Sequence, residues 1–457
     1  MNIIIVGCGK VGSTLAEHLS MEGNDITVID RKYEVVQRLS NKLDIMGMAG
    51  SGSSFNVQLE AGVEDADLLI AVTGSDELNL LCCLIAKKAG DCQTIARVRN
   101  PEYNKEIQYL KEELGLAMVI NPEHAAALEI ARLLRFPSAI QIETFAKGRV
   151  ELLKFKIQPG SILHNMEILE ITTKLRCDVL VCTVERGEEV TIPGGNYVLQ
   201  EKDVVSIIAE HKLANQFFKR IKLQTNQAKD AMIIGGSKLA FYLGNLLHTM
   251  GIEVKIIEKD KNRCEELSEL LPKATIICGD GVDQNLLMEE GLMHTDAFVT
   301  LTNMDEENII LSLFARSKAD MKVVTKINSI SFNEVINSLD LDSIVYPKYV
   351  TAEYIVRYVR AMKNSIGSNV ETLHRLADDK VEALEFCIRE NAPVLNTTLE
   401  ELQLKDNLLI GCIYRKGKIL IPKGQDKIMR GDTVVVVTTN TGLNDISDIL
   451  DERKMKE

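Results

Sequence analysis

Short apolar runs alternate with amphipathic segments through the first 120 residues of the chain. Residues 3–6 form an aliphatic run, residues 10–22 place apolar positions at helical spacing, and residues 25–30 form a second run. The alternation continues to a last run at residues 118–120. Strands that alternate with helices at this spacing predict an α/β fold with a doubly wound parallel sheet.

The same pattern returns in the second half of the chain. The glycine turn that begins at Gly7 reappears at Gly235, 228 residues later. Agreement at many separate points indicates an internal duplication, and so two Rossmann-like sheets in one chain. The matched pairs are Gly7 with Gly235, Asp30 with Glu258, Thr73 with Thr302, Asn79 with Asn308, and Arg97 with Lys326.

Each sheet is followed by a helix and a small β-rich unit. The helices, residues 122–134 and 347–362, both begin at proline, and the pattern leaves open whether they are crossover or hinge elements or pack within their own domain. The β-rich units match each other in their strands and turns, which predicts two α+β modules. The predicted domains are residues 1–121, 140–223, 230–348 and 370–453, with a linker at residues 223–229.

Composition narrows the class of protein. Apolar residues make up 46% of the chain and tryptophan is absent, as expected of aliphatic cores around parallel sheets. A net charge of −13 argues against nucleic acid as a partner, because phosphate backbones require a basic face. No apolar segment approaches the roughly 18 residues of a spanning helix, and the scattered cysteines are typical of a reduced cytosolic protein.

The first glycine turn predicts a dinucleotide site. Gly7 makes the turn, Gly9 lets backbone approach a pyrophosphate, and Gly12 lets the helix pack closely. The helix N-terminus then offers free N–H donors and partial positive charge to the phosphate. Asp30 ends the second strand, where a carboxylate accepts both ribose hydroxyls and repels a 2′-phosphate, which favours NAD(H) over NADP(H).

Thr73 and Gly74 follow the fourth strand, over the crevice where ligands bind in such sheets. They are predicted to contact ribose or phosphate, and an N-cap for the next helix is the alternative. Arg97 ends the next strand and is predicted to neutralise phosphate. Arg99 fits either that role or a surface ion pair.

The second turn departs from the dinucleotide pattern, because Ser237 and Ala240 replace two glycines. Glu258 keeps the carboxylate, and Lys238 and Lys326 keep positive charge. Binding of an adenine nucleotide and a purely structural lobe both remain open.

A catalytic group is harder to nominate. The seven histidines do not recur at equivalent points of the two halves, and no cysteine–histidine cluster has metal-ligand spacing. The chain is therefore predicted not to be an enzyme. An NAD-dependent oxidoreductase with duplicated cofactor domains is the alternative and would need an acid or base beside the nicotinamide. A soluble redox sensor with a transcriptional partner is disfavoured by the acidic charge.

These motifs carry a family resemblance. The segments around Gly7–Gly12, Asp30, Thr73–Asn79 and Arg97, with their second copies, resemble the nucleotide-binding domain that regulates potassium conductance (the RCK domain). Ile192-Pro193 and Ile421-Pro422 resemble its carboxyl-terminal module. Two such pairs in tandem resemble the TrkA family, the peripheral subunits of the Trk potassium uptake system.

The resemblance has consequences for site residues. It implies that Cys8, Lys10 and Val11 belong to the phosphate-binding turn of the first lobe. In the second lobe it implies contacts by Gly235, Gly236, Ser237, Lys238, Leu239, Glu258, Thr302 and Asn303.

The resemblance also has consequences for ligands and partners. It implies NAD(H) and ATP or ADP as ligands and a homo-oligomeric ring of RCK domains. It also implies a membrane potassium-transporting subunit of the Trk type as partner, contacted from the cytoplasmic face of the cell membrane. In that family, nucleotide binding changes the relative orientation of the domains, and this gates the membrane pore.

Overall fold

The computed structural model describes residues 1–101, 103, 106–146, 148–223, 227–328, 335–336, 339, 341–364, 370–377, 380–388 and 392–451. Residues 224–226 of the predicted linker and residues 452–453 of the last predicted domain lie outside them.

Six parallel strands form the first sheet, and helices alternate with them along the chain. The strands are β1 (Asn2–Val6), β2 (Asp25–Asp30), β3 (Met46–Ala49), β4 (Leu68–Ala71), β5 (Gln93–Arg97) and β6 (Met118–Ile120). The helices are α1 (Lys10–Met21), α2 (Tyr33–Lys42), α3 (Phe55–Glu60), α4 (Asp76–Ala89), α5 (Ile107–Glu113) and α6 (Pro122–Arg135). The order is β3-β2-β1-β4-β5-β6. The order reverses beside β1, so the carboxyl ends of β1 and β4 open a crevice there.

An antiparallel module follows this sheet. Its strands are β7 (Gln141–Phe145), β8 (Val150–Lys156), β9 (Leu180–Arg186), β10 (Glu189–Thr191) and β11 (Val204–Glu210), with helices α7 (Ile168–Leu175) and α8 (His211–Arg220). The order is β10-β9-β11-β8-β7.

The second parallel sheet repeats the first. Its strands are β12 (Asp230–Ile234), β13 (Glu253–Glu258), β14 (Thr275–Cys278), β15 (Ala297–Thr300), β16 (Lys322–Lys326) and β17 (Ser343–Val345). Its helices are α9 (Lys238–Thr249), α10 (Lys261–Leu270), α11 (Gln284–Glu289), α12 (Asp305–Lys318) and α13 (Pro347–Asn364). The order β14-β13-β12-β15-β16-β17 is that of the first sheet.

A second antiparallel module completes the chain. Its strands are β18 (Val370–Leu376), β19 (Val381–Cys387), β20 (Leu408–Arg415), β21 (Lys418–Leu420) and β22 (Thr433–Thr438), in the order β18-β19-β22-β20-β21. The predicted fold class, two Rossmann-like sheets each followed by a small β-rich module, is confirmed.

The chain divides into two compact units. The first contains both parallel sheets and consists of Met1–Ala131 and Lys229–Val356. The second contains both antiparallel modules and consists of Arg132–Ala228 and Arg357–Glu457. Aliphatic runs form the core of the first unit. Ile3, Ile4 and Ile5 on β1 are at most 2% exposed, because strands that helices cover on both faces bury every side chain.

In the second unit one apolar cluster joins the two modules. It includes Phe145 and Val150 of the first module and Leu376 and Val381 of the second. None of the described helices combines the length and the apolar character that a bilayer-spanning segment needs.

Candidate nucleotide-binding sites

The first glycine turn brings backbone close to the crevice. Gly7 follows β1 with a φ of +97°, and a Cβ there would lie 2.9 Å from the backbone of Thr73. A Cβ on Gly12 would lie 1.9 Å from the carbonyl oxygen of Gly7. Gly9 is the N-cap of α1 and provides no side-chain cap for the first N–H groups of the helix. The first N–H groups of α1, with the positive end of its dipole, are therefore available to an anion.

Asp30 lies beside this turn at the end of β2. Its carboxylate accepts hydrogen bonds from the backbone N–H of Cys8 at 2.8 Å and of Lys32 at 2.9 Å. Each oxygen keeps a further lone pair, so the carboxylate can also accept ribose hydroxyls. Burial, reinforced by the charge of Asp30, raises the pKa of the Cys8 thiol to about 12. Cys8 therefore fills space, while Lys10 and Val11 form the first turn of α1.

Thr73 and Arg97 are brought together by a buried amide. Asn79 is fully buried, accepts hydrogen bonds from the N–H and hydroxyl of Thr73 at 2.7 Å each, and donates to the carbonyl oxygen of Arg97 at 2.9 Å. The Arg97 guanidinium donates in turn to the Thr73 carbonyl oxygen. Gly74 follows on the surface, and the N-cap of α4 is Ser75 rather than either predicted residue.

Two arginines and a carboxylate meet at the end of β5. Arg99 donates to the Gly74 carbonyl oxygen at 2.9 Å, and its Nη1 lies 3.7 Å from Glu123 Oε1. Burial and the charge of Arg99 lower the pKa of Arg97, while burial raises the pKa of Glu123. Within the described residues, Arg97 Nε, Arg99 Nε and Glu123 Oε2 are buried without a hydrogen-bond partner. Because unpartnered buried polar atoms are costly, this cluster fits a polar ligand.

The second lobe repeats the carboxylate geometry. Gly235 has a φ of +96°, and Glu258 ends β13 as Asp30 ends β2. Glu258 accepts hydrogen bonds from the N–H of Gly236 at 2.6 Å and of Asp260 at 2.8 Å. A ribose can therefore be bound in both lobes by the same arrangement.

The phosphate end of the second lobe differs from the first. The Ser237 hydroxyl accepts a hydrogen bond from the N–H of Ala240 at 3.4 Å, so a side chain occupies a donor at the N-terminus of α9. Arg263 Nε donates to the Gly236 carbonyl oxygen at 2.5 Å, a contact that Val35 cannot make at the equivalent place. Leu239 is 3% exposed, so a ligand could reach only its backbone.

The Thr302 region keeps the buried amide network. Asn308 accepts hydrogen bonds from the N–H and hydroxyl of Thr302 at 3.0 and 2.8 Å, and donates to the Lys326 carbonyl oxygen at 3.0 Å. Lys326 Nζ donates to the Leu301 carbonyl oxygen at 3.2 Å. Burial lowers the pKa of Lys326 to about 8, against the opposing charge of Asp305. Asn303 is exposed.

The two lobes meet at the first of these sites. The Tyr242 hydroxyl of α9 donates to the Arg99 carbonyl oxygen at 3.1 Å and accepts from Asn121 at 2.9 Å. Burial raises the pKa of Glu123, and the charge of Lys238 at the start of α9 offsets a small part of that rise. The start of α9, which follows the second glycine turn, therefore lies within electrostatic range of the first pocket.

A matching contact joins the lobes at the second site. The charge of Lys10, at the start of α1, lowers the pKa of Lys326 and of Lys348, after burial as the main cause. The rings of His18 and Tyr349 stack with centroids 5.8 Å apart. The first turns of α6 and α13 thus contribute to contacts between the two lobes.

Sequence reasoning missed three contributors. Asn79 was a matched position in the repeat, which signalled importance but not its bridging role. Glu123 and Arg263 lie on helices, and the sequence alone does not show which side of each helix faces the pocket. Nothing in the sequence pattern marked either residue.

Family models match four segments that together make up most of the chain. The TrkA-N domain model matches residues 3–122 and 231–347, and the TrkA-C domain model matches residues 152–222 and 383–451. The Trk system potassium uptake protein TrkA of Haemophilus influenzae is 32% identical over 440 residues, which is 95% of each chain. The Trk system potassium uptake protein TrkA homolog 1 of Methanosarcina mazei is 29% identical over 98% of this chain and 99% of its own.

Solved structures share the fold. The GsuK channel bound to NAD has a TM-score of 0.62 at 17% identity and covers 96% of this chain and 77% of its own. GsuK bound to ADP has a TM-score of 0.51 at 14% identity, with 79% and 69% covered.

Proposed function

We propose a function from one premise: the chain belongs to the TrkA family of Trk system potassium uptake proteins. It is the nucleotide-sensing regulatory subunit of a membrane potassium transporter and acts from the cytoplasmic face of the membrane as a peripheral protein. Its relatives carry the name of the Trk potassium uptake system. It gates transport by binding nucleotide and is not an enzyme.

The first lobe binds NAD(H). The observation that carries this assignment is the N-terminus of α1, without a side-chain cap, between the Asp30 carboxylate and a cluster of Arg97, Arg99 and Glu123 whose buried polar atoms lack hydrogen-bond partners. The pyrophosphate lies over α1, the adenosine ribose at Asp30, and the remaining groups toward Arg97. The contacts are supplied by Gly7, Cys8, Gly9, Lys10, Val11, Gly12, Asp30, Thr73, Gly74 and Arg97.

The second lobe binds an adenine nucleotide, ATP or ADP. Glu258 holds the ribose, and Lys326 supplies a buried positive charge for phosphate. Because Ser237 occupies one helix donor, the phosphates bind there by a different set of contacts. The residues assigned are Gly235, Gly236, Ser237, Lys238, Leu239, Glu258, Thr302 and Asn303. GsuK, which shares the fold, has been solved with NAD and with ADP.

Coupling of the two pockets is the basis of sensing. The Tyr242 hydroxyl of the second lobe donates to the Arg99 carbonyl oxygen beside the first pocket, and Lys238 and Lys10 lie within electrostatic range of Glu123 and Lys326 in the opposite lobes. A phosphate bound in either pocket changes the charge balance across the contact between lobes. Nucleotides that bind two arrangements of the lobes unequally shift the equilibrium between them, and couplings of about 1–3 kcal/mol are typical.

Assembly transmits this shift to the transporter. The chain forms a homo-oligomeric ring of RCK domains that docks on the membrane subunit. Its domains are residues 1–121, 140–223, 230–348 and 370–453. No nucleic acid takes part.

Calorimetry of the full-length chain tests the first site. Asp30→Ala removes both ribose contacts, each of which is worth about 1.5–3 kcal/mol as a hydrogen bond to a charged group, so NADH affinity should fall at least ~100-fold. Glu258→Ala is the matched control and should leave NADH affinity at the first lobe unchanged. Equal NADH affinity in wild type and Asp30→Ala would overturn the site.

Absorbance tests the alternative class. An oxidoreductase would consume NADH in the presence of a substrate, whereas a sensor binds it without turnover. Steady loss of absorbance at the nicotinamide band that depends on this chain would replace the sensing proposal by catalysis.

A further inference from the structure

Two thiols lie together at the edge of the second pocket. Cys278 is the last residue of β14 and is exposed, while Cys264 lies on α10 and is 6% exposed. The Cys278 thiol contributes to the raised pKa of Cys264, as expected of two neighbouring thiols. Cys278 is the parallel-sheet neighbour of Glu258, and Cys264 Sγ donates to the Glu258 carbonyl oxygen at 3.2 Å. Both thiols therefore lie beside Glu258, the residue whose carboxylate is assigned to the ribose.

The first lobe lacks this pair although its backbone is the same. Ala49 pairs with Asp30 as Cys278 pairs with Glu258. Val36 on α2 stands where Cys264 stands on α10, and it is 4% exposed. The first lobe forms the same backbone with valine and alanine at these two positions. Packing alone therefore does not explain the two cysteines of the second lobe.

We propose that Cys264 and Cys278 are a reversible dithiol–disulfide modification site. The oxidant is a hydroperoxide, represented by hydrogen peroxide. The Cys278 thiolate attacks a peroxide oxygen, which gives a sulfenic acid at Cys278 and releases one water after proton transfer. Cys264 sulfur then attacks the Cys278 sulfur, the S–S bond forms, and the sulfenic oxygen leaves as a second water. The two thiols lose two electrons and two protons, and the peroxide takes them up. A dithiol reductant reverses the change by thiol–disulfide exchange.

Exposure determines the order of these steps. All ten cysteines lie in the described ranges, and Cys278 alone is exposed. Burial and the neighbouring Cys278 thiol raise the pKa of Cys264 to about 11. Cys264 therefore stays a thiol until Cys278 is oxidised, and its place beside Glu258, the strand neighbour of Cys278, makes it the resolving cysteine.

The bond would alter the second pocket, a consequence that rests on the proposed function. A disulfide removes the hydrogen bond from Cys264 to Glu258 and fixes α10 on β14. The same helix carries Arg263, which contacts the Gly236 carbonyl oxygen, and begins after Asp260, whose N–H binds Glu258. Disulfide formation itself is measured without nucleotide, so its failure is distinguishable from failure of nucleotide sensing.

Peptide mapping of the full-length protein tests the site. The chain is treated with hydrogen peroxide, the remaining thiols are blocked, and the protein is digested with trypsin without reduction. Cleavage after Lys273 separates the two cysteines, so a disulfide appears as a linked pair of peptides. The expected result is one Cys264–Cys278 link and the loss of two thiols per chain, both reversed by dithiothreitol.

Two variants serve as controls. The double variant Cys264→Val with Cys278→Ala carries the residues of the first lobe at both positions. Hydrogen peroxide should rapidly oxidise no thiol in this variant. Cys264→Val alone should leave Cys278 as a sulfenic acid that dimedone traps. The proposal is overturned if wild type yields Cys278 sulfinic acid with Cys264 still reduced, if the link joins two chains, or if neither thiol reacts.

Discussion

Replacement of Gly12 by alanine tests whether close packing of α1 on the first glycine turn is needed for dinucleotide binding. The new Cβ would lie 1.9 Å from the Gly7 carbonyl oxygen, whereas carbon and oxygen in contact are at least about 3.3 Å apart. The start of α1 must therefore move by about 1.4 Å, which takes its N–H groups out of the ~2.9 Å range of a good hydrogen bond. Loss of one such bond to phosphate costs about 1.5–3 kcal/mol, or roughly 10- to 100-fold in affinity.

Calorimetric titration of Gly12→Ala with NADH gives the affinity, and urea unfolding gives the stability. Overpacking of this kind costs about 1–3 kcal/mol of folding free energy. Ala240→Gly in the second lobe is the matched control, because it removes a methyl group at the equivalent place and should leave NADH binding at the first lobe unchanged. Wild-type NADH affinity in Gly12→Ala would refute the packing argument.

Three further predictions concern charge, the buried network and the contact between lobes. The pKa of Lys326 is lowered to about 8 in the folded chain. Between about pH 8 and the ordinary pKa of lysine, the unfolded state therefore binds more protons than the folded state. The free energy of unfolding should rise with pH through that window, by about 3 kcal/mol relative to Lys326→Met. Superimposable pH profiles of urea unfolding would exclude this. Asn79→Ala leaves buried partners unpaired and should cost about 2–4 kcal/mol in the same assay, and a cost below about 0.5 kcal/mol would show that the network is dispensable. Tyr242→Phe removes the donor to Arg99 and should weaken the effect of ADP on NADH affinity by about 1 kcal/mol. An unchanged ratio of NADH affinities with and without ADP would count against coupling through this contact.

The sequence was enough to predict the architecture because local patterns fix it. Continuous aliphatic runs such as Ile3–Val6 are buried on both faces, and the glycine turns recur with the same positive φ at Gly7 and Gly235. Asp30 was predicted at the end of its strand for the same local reason. The strand order then follows from the two winding directions of a doubly wound sheet.

The rest depends on long-range contacts. Thr73 was predicted as a ligand contact, and the structure adds that its hydroxyl donates to Asn79, a hydrogen bond across six residues that periodicity does not reveal. The charge of Lys10 acts in the opposite lobe because of how the lobes pack, and no spacing in the chain specifies that. The N-cap of α9 at Ser237 likewise became evident only from the structure, in which the Ser237 hydroxyl accepts a hydrogen bond from the N–H of Ala240.

Potassium flux into liposomes tests the central claim most directly. The vesicles contain a Trk-type membrane subunit and the full-length chain. NADH, ATP or ADP is added on the side of the vesicle membrane where the chain is bound. The account predicts that flux changes with nucleotide in wild type and that the response to NADH disappears in Asp30→Ala. Flux that is the same with and without every nucleotide in wild type would contradict it.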